Sequence, residues 1–475
     1  MLTTSGTRQK FFPVIITLAL TMALWLVSKW HYGDWFANPW KYPAKTASLS
    51  ATVLICWCVL LSSRARPIED YFGGLDKVYQ VHKRLGRWAF FLILAHPLFL
   101  AVDSLPNLPE FLGRLWFLPT GGDRYLQGHN LGVAVLLLMA ALLTVTFWVK
   151  IPYHLWKRTH EWFGLVLLGA VAHVAAVDAD IASYPLLGAW MYGSFGVAAL
   201  SFLWIRFLYR FFGPRYRYRV EEIERQGDIL KISFAPESRP MDFRPSQFVY
   251  LVVRREGISP EPHPYSIACG YNRESRFKLG IKKVGDHTRS LDLLEKGDPV
   301  DVYGPYGRFS DKFLSGSRDC VFVGGGIGIT PFLGMWHVAL HSEERIFPEE
   351  ATPALRKMHP ENLKNWKSPR VSLFYVCITE EQAGFDNEIR NEVIMSRFHG
   401  FKSFEERGHY YELYLASRSG LITAEYINAK VSGGVGDKYI FLCGPSPMVG
   451  ALIKQFSDMG VSRDQIVIED FNLLY

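Results

Sequence analysis

The chain has 475 residues, enough for two or three domains, and 49% of them are hydrophobic, concentrated before about Phe212. The net charge of +7 is modest and contains no compact basic run, which excludes nucleic-acid binding and points to anchoring at the cytoplasmic face of a membrane. The six cysteines (Cys56, Cys58, Cys269, Cys320, Cys377 and Cys443) form no C-x-x-C pair, so neither a disulfide framework nor a cysteine zinc site is expected.

Six apolar segments precede the soluble half: Phe11 to Trp30, Thr46 to Ser62, His82 to Val102, His129 to Val149, His160 to Asp178, and Pro185 to Phe212. Each is long enough to cross a bilayer as a helix. The first has no small-residue cleavage site and is expected to be retained.

Two of these segments carry paired histidines, His82 with His96 and His160 with His173, at spacings of 14 and 13 residues. A rise of about 1.5 Å per residue separates each pair by roughly 20 Å along its helix, placing one histidine towards each membrane face. A lone histidine in such a helix commonly packs as a polar residue against a carbonyl. Four at matching depths are harder to explain that way, because ionisable groups in hydrocarbon are costly. Neutral imidazoles hold heme iron from opposite sides, so two stacked bis-histidine sites are expected. Fourteen residues are close to four whole turns, but thirteen are not, and Gly164 and Gly169 are candidate points of adjustment.

Lys and Arg set the expected orientation. The loop after the second segment holds Arg64, Arg66, Lys77, Lys83 and Arg84, and the loop after the fourth holds Lys150, Lys157 and Arg158. Both termini are then cytoplasmic. His82 and His160 pair near the cytoplasm and His96 and His173 near the exterior, while His129 is an interfacial or acceptor-site residue.

After FGPRYRYR the pattern turns to short strands at Tyr216–Glu222, Ile229–Ala235, Gln247–Val253, Arg276–Lys283 and Val300–Gly304, which predicts a small antiparallel barrel. From Asp319 an α/β nucleotide-binding pattern follows: DCVFVG, a glycine-rich turn, a helix, then strands at VSLFYVC, YELYLAS and KYIFLCG. Glu343 to Arg370 reads as a polar surface loop. The expected division is 1–214, 215–316 and 317–475.

The soluble motifs suit nucleotide chemistry. GGGIGITP (Gly324, Gly325, Gly326, Gly328, Thr330, Pro331) follows a strand and opens a helix, where bare backbone and the helix terminus attract a pyrophosphate. Its Pro331 departs from the usual dinucleotide fingerprint. HPYSIA (His263, Pro264, Tyr265, Ser266) offers a ring to stack on a flavin and a hydroxyl for its edge. GDHTRSL offers Thr288, Arg289 and Ser290 to phosphate. LCGPSPM (Cys443, Gly444, Pro445) ends a strand where a parallel sheet meets its ligand, although a free cysteine is more often a small buried apolar group.

In order, His-Pro-Tyr-Ser, Gly-Pro-Tyr-Gly at 304–307, Gly-x-Gly-x-x-Pro at 326–331, Cys-Gly-Pro at 443–445 and Glu-Asp-Phe at 469–471 resemble the ferredoxin–NADP reductase type of flavin dehydrogenase. Behind the histidine helices, the whole chain resembles the NADPH oxidase and ferric reductase superfamily. The resemblance implies FAD at His263, Pro264, Tyr265, Ser266, Lys282, Thr288, Arg289 and Ser290, and NADPH or NADH at Gly324 to Pro331, Gly444 and Pro445. It implies catalytic roles at Cys443, Glu469 and Phe471, with Phe471 covering the flavin and Tyr475 its rival, and two heme b on the four histidines.

The implied enzyme passes electrons from cytoplasmic NAD(P)H outward, to dioxygen as a superoxide-forming oxidase or, as an alternative, to a ferric chelate. The 14-and-13 spacing resembles the oxidase branch, whereas Leu100 stands where oxygen-reducing relatives carry a further histidine. Glu380 and Glu381 oppose a 2′-phosphate and favour NADH, while Arg418 is a substitute cation for NADPH. The expected setting is the lipid bilayer of a bacterial inner membrane or plasma membrane, with no obligatory partner protein. A reading of another class keeps the membrane half as an anchor without heme, feeding a partner protein.

Overall fold

A segment that crosses lipid alone must satisfy its own backbone polar groups, which a helix does. The structure, a computed structural model, describes residues 11–32, 39–149, 151–269, 275–341, 368–398, 404 and 406–469. It falls into two compact units, one up to Arg210 and one from Phe211 onward.

Among the described residues of the first unit, six helices are long and apolar enough to cross a membrane. They are Phe12–Tyr32, Lys41–Leu61, Leu75–Ala101, Arg124–Trp148, a fifth in two pieces (Tyr153–Glu161 and Phe163–Val177), and Pro185–Leu203. The sixth runs on through a π-helical turn at Trp204–Leu208.

Two expectations need correction. The third helix starts at Leu75, just after a Gly73–Gly74 turn with φ of 81° and 122°, so Lys77, Lys83 and Arg84 stand on the helix and not in a loop. The fifth helix is interrupted at Trp162, where the Trp162 amide donates to Thr159 O at 3.1 Å and Leu165 N donates to Trp162 O at 2.9 Å. These i→i−3 bonds tighten the turn between His160 and His173. Gly164 and Gly169 do not make this adjustment. A Cβ at Gly164 would lie 2.3 Å from Phe202 Cζ, and one at Gly169 2.5 Å from Val135 Cγ2, so both let neighbouring helices approach closely.

The second helix packs against the third and sixth, and the fourth against the fifth. At one end of the bundle Lys29 bonds Asp180 at 2.8 Å, and Lys45 pairs with both Asp178 and Asp180. Paired in this way, the four charges are tolerable at low dielectric.

The second unit opens with a six-stranded antiparallel sheet in the order β4-β3-β6-β1-β2-β5. Its strands are β1 Arg215–Gln226, β2 Ile229–Pro236, β3 Phe248–Val253, β4 His263–Ser266, β5 Phe277–Lys282 and β6 Pro299–Tyr306. Just past β4, Ile267 bridges Leu279 of β5, and Ala268 N donates to Lys278 O at 2.8 Å. The sheet therefore curls until its edges meet, as the predicted barrel requires. Tyr218, Phe234 and Phe277 fill its core.

A five-stranded parallel sheet follows in the order β11-β10-β7-β8-β9. Its strands are β7 Cys320–Gly325, β8 Val371–Cys377, β9 Tyr410–Leu415, β10 Tyr439–Cys443 and β11 Ile466–Ile468. Strands covered on both faces read as continuous apolar runs, which is why β7 and β8 stand out in the sequence. β11, only three residues long, is an addition to the predicted strands. Of the predicted loop from Glu343 to Arg370, all but 368–370 lies outside the described residues.

Candidate functional site

In the membrane unit three of the four histidines are tied to neighbouring helices through one ring nitrogen. His82 Nδ1 lies 2.8 Å from Cys58 O, and His96 Nδ1 lies 3.0 Å from Ala44 O. Both anchors are on the second helix and are themselves 14 residues apart, matching the histidines on the third. Cys58 Sγ donates back to His82 O at 3.6 Å, closing a two-way clasp. His173 Nδ1 lies 2.8 Å from Gly128 O on the fourth helix.

A carbonyl only accepts, so in each of these three contacts Nδ1 is the N–H donor. A neutral ring then carries its free lone pair on Nε2. A histidine held in this way has the tautomer and orientation of a metal ligand.

His160 is held differently. Its ring stacks on Trp156 with centroids 5.0 Å apart and an interplanar angle of 17°, and its buried Nδ1 has no hydrogen-bond partner among the described residues. Its ring centroid is 6.1 Å from that of His82. The residues thus suit a group ligated by imidazole nitrogens. His129, by contrast, has its Nε2 engaged by Trp116 O at 3.0 Å.

Gly128 and Gly132 join the site from outside the residues the sequence singles out. A Cβ on Gly132 would fall 2.5 Å from His173 Cε1, and one on Gly128 2.5 Å from Val177 Cγ1. Their small-x-x-x-small spacing in an apolar helix is the available signal.

In the second unit, the chain runs from β7 outward to β8 and β9, then returns to place β10 on β7's other side. That reversal opens a crevice at the strands' carboxyl ends, the usual ligand position in an open α/β sheet. Gly324 is in register with Cys443, and the two turns interlock there. A Cβ on Gly328 would sit 2.6 Å from Cys443 O, and one on Gly444 2.9 Å from Gly325 Cα. Gly326 (φ 54°) and Gly444 (φ 153°) also occupy backbone regions that favour glycine. Pro445 and Met448 cover Gly325.

Thr330, nearly buried, starts the next helix and donates to Ile327 O at 3.0 Å, with Pro331 buried beside it. Cys443 is buried at this edge. Glu469 is brought alongside, its amide donating to Leu442 O at 3.2 Å. Cys377 ends β8, and burial pushes its thiol up to about 11. Phe471 and Tyr475 lie outside the described residues.

The flavin candidates gather around β4. Tyr265 Oη is buried without a partner among the described residues, and burial holds the phenol well above its ordinary range. An orphaned buried hydroxyl next to a strand edge suits a ligand that supplies the missing bond. Ser266 is buried and Pro264 half-buried. His263 stacks on His287 at 3.6 Å and 18°, joining the HPYS strand to the GDHTRSL segment. His287 is a residue the sequence reading misses; its Nδ1 is buried without a partner among the described residues, and burial lowers its pKa to about 4.

The hydroxyls beside His287 are locally committed. Thr288 Oγ1 accepts from Val284 N and Gly285 N at 3.0 Å, and Ser290 Oγ donates to His287 O at 2.8 Å. These bonds shape the loop that carries the residues expected to meet phosphate. Arg289 is exposed, and Lys282 pairs with Asp228 at 3.4 Å. Arg418 bonds the exposed Glu380 at 2.9 Å, so the expected substitute cation and the expected acid face one another.

Residues 47–171 match the family model for the ferric reductase like transmembrane component, a stretch that includes His82, His96 and His160. The chain is 25% identical over 264 residues to the propane 2-monooxygenase reductase component of Mycolicibacterium smegmatis, covering 54% of this chain and 67% of that one. It is 26% identical over 265 residues to the propane 2-monooxygenase reductase component of Rhodococcus jostii, covering 54% of this chain and 63% of that one. A ferredoxin NADP+ reductase from Neisseria gonorrhoeae superposes with a TM-score of 0.38 at 16% identity, over 54% of this chain and 98% of that one. The chain thus joins a stretch that matches a ferric reductase like transmembrane component to a stretch similar to reductase components.

Proposed function

We propose that this integral membrane protein is an NAD(P)H-dependent oxidoreductase that delivers electrons to an acceptor on the far side of the membrane. Its resident cofactors are FAD in the barrel and two b-type hemes, one on His82 and His160 and one on His96 and His173. When bound, flavin accepts hydride as two electrons and releases them singly, and bis-imidazole heme carries one at a time. The working division is a heme part at 1–214, a flavin part at 215–316 and a nucleotide part at 317–475, with both termini cytoplasmic.

The observation that carries this reading is the anchoring of His82 and His96 on the second helix with matched 14-residue spacing. Those bonds hold each Nε2 lone pair available for iron. In the soluble half, Gly326 leaves backbone bare for a pyrophosphate, Gly328 and Gly444 let the two turns interlock beside it, and Thr330 and Cys443 border the nicotinamide position. Tyr265 orients the flavin edge, Glu469 borders the nicotinamide from β11's end, and Phe471 is the aromatic assigned to cover the flavin. The sign of Glu380 favours NADH.

Dioxygen is the acceptor. A ferric chelate is the second reading, favoured by Leu100 one turn beyond His96. Purified protein should show two reducible low-spin b-type hemes, falling to one in His96→Leu. A preparation that is yellow with no heme band would leave the membrane half as an anchor. NADH- and NADPH-driven turnover, read with a dismutase-quenched superoxide probe against ferric chelate reduction, decides acceptor and nucleotide.

A further inference from the structure

The helix that follows the glycine turn carries two histidines one turn apart. His337 and His341 lie at i and i+4 on Thr330–His341 and so share a face. Glu392, on the neighbouring helix Asp386–Phe398, reaches both of them. His337 Nδ1 lies 3.1 Å and His341 Nε2 2.8 Å from the same oxygen, Glu392 Oε2, and the three ligand atoms are all within 4.8 Å of one another. The two rings are 4.6 Å apart, centroid to centroid.

Nitrogen and oxygen ligands stand about 2.0–2.2 Å from a zinc ion, which separates neighbouring donors by about 3–4 Å. The cluster has nearly that spacing already. Small side-chain rotations would admit an ion in place of the shared protons. All three residues are partly exposed, so the ion has an entry path. Glu388, one turn earlier, is engaged by Lys231 at 2.9 Å and Lys278 at 3.4 Å, which leaves Glu392 as the carboxylate for this face.

We infer that His337, His341 and Glu392 form a binding site for a zinc-class divalent cation, with at least one coordination position open to solvent. Two imidazoles and one carboxylate select zinc, cobalt, nickel or copper over calcium and magnesium, which demand oxygen. The bound ion clamps the helix leading from the nucleotide turn to the helix that packs beside it. The site is separate from the electron path proposed above, because His337 and His341 stand on the later turns of their helix, beyond its glycine turn.

The test uses the full chain in detergent, stripped with a chelator, with heme iron counted separately. Equilibrium dialysis with Zn2+ should give one more bound equivalent for wild type than for the His337→Ala/His341→Ala double variant. Glu392→Gln should bind at least about a hundredfold more weakly, since even loss of an outer-shell partner costs 10–100-fold. Co2+ should develop ligand-field absorption in wild type that Zn2+ abolishes, and Zn2+ should raise the melting temperature of wild type alone. Equal Zn2+ uptake by wild type and Glu392→Gln, both retaining flavin and heme absorbance, would overturn the assignment. So would wild type that gives no Co2+ band, whatever the variants do.

Discussion

The rings of His82 and His160 face each other across two helices, with centroids 6.1 Å apart and planes inclined by 54°. A ligating imidazole nitrogen stands about 2 Å from its metal, so two rings on opposite sides of one ion have centroids about 6 Å apart. The pair is spaced for a shared iron. Same-depth pairing then makes a non-additive prediction. His82→Leu and His160→Leu should each remove one heme, and the double variant no second one. His82→Leu with His173→Leu should remove both. Pyridine hemochrome counts per polypeptide read this directly, and a double variant of His82 and His160 that loses both hemes would refute the pairing.

The outer position depends on a residue that ligates nothing. Gly132 leaves room for the His173 ring, and a Cβ there would sit 2.6 Å from its Nδ1. The ring cannot yield without releasing Gly128 O. Gly132→Ala should therefore disturb one heme selectively, at a cost of about 1–3 kcal/mol from overpacking. The expected result is one heme with an altered potential or lost, while the other titrates as in wild type. Unchanged spectra and potentials for both would show that the fourth helix simply moves aside.

Much of this arrangement was legible in the sequence, because the strongest signals are long and local. Six apolar runs, the alternation in β2 and the continuous apolar runs of β3 and β7 all follow from a single stretch of chain. What escaped depends on two segments at once. The room at Gly132 follows from how neighbouring helices meet. β11 is three residues that become a strand only by pairing with β10. His287 matters because His263 stacks on it, and the shared contact of His337 and His341 needs Glu392 from 51 residues beyond His341. The i, i+4 histidine spacing is the one part of that cluster visible in a single stretch.

At the sheet edge the prediction concerns backbone contact. Gly328→Val would push a branched side chain into the Cys443 carbonyl, where even a Cβ lies 2.6 Å away. Relief requires the two turns to separate, at roughly 1–3 kcal/mol. Nucleotide affinity should fall by about ten- to a hundredfold. Flavin content and dithionite reduction of the hemes should remain as in wild type. Stopped-flow flavin reduction against NADH concentration measures it, and a wild-type concentration dependence would remove this turn from the binding site.

Coenzyme preference offers a prediction with a definite sign. Glu380 holds Arg418 in an exposed ion pair. Exposed pairs contribute only about 0.2–1 kcal/mol, so the change is modest. Glu380→Gln removes the charge opposing a 2′-phosphate and releases Arg418 towards it. The ratio of kcat/KM for NADPH over NADH should rise by up to about fivefold. Arg418→Gln in the wild-type background should lower that ratio. A rise with Arg418→Gln would place the adenosine ribose elsewhere.

The nucleotide sheet should also lose stability in mild acid through one histidine. His409 Nδ1 accepts from Val371 N at 3.1 Å, so its ring is neutral in the folded state. Burial first, with Arg407 nearby, lowers its pKa from 6.5 to about 4. Unfolded, the ring takes up a proton below about pH 6.5; folded, it resists until about pH 4. Unfolding is thus linked to proton uptake between these values, and stability in this window rises with pH. The contribution is complete above about pH 6.5 and declines as pH falls towards 4, by up to about 3 kcal/mol. Melting of the full chain, followed by flavin release between about pH 4.5 and 7.5, should slope accordingly in wild type. In His409→Gln the slope should be shallower, because the titrating group is gone while a hydrogen-bond acceptor is kept for Val371. Parallel slopes in the two proteins would assign the acid sensitivity to other groups, with His287 the next to replace.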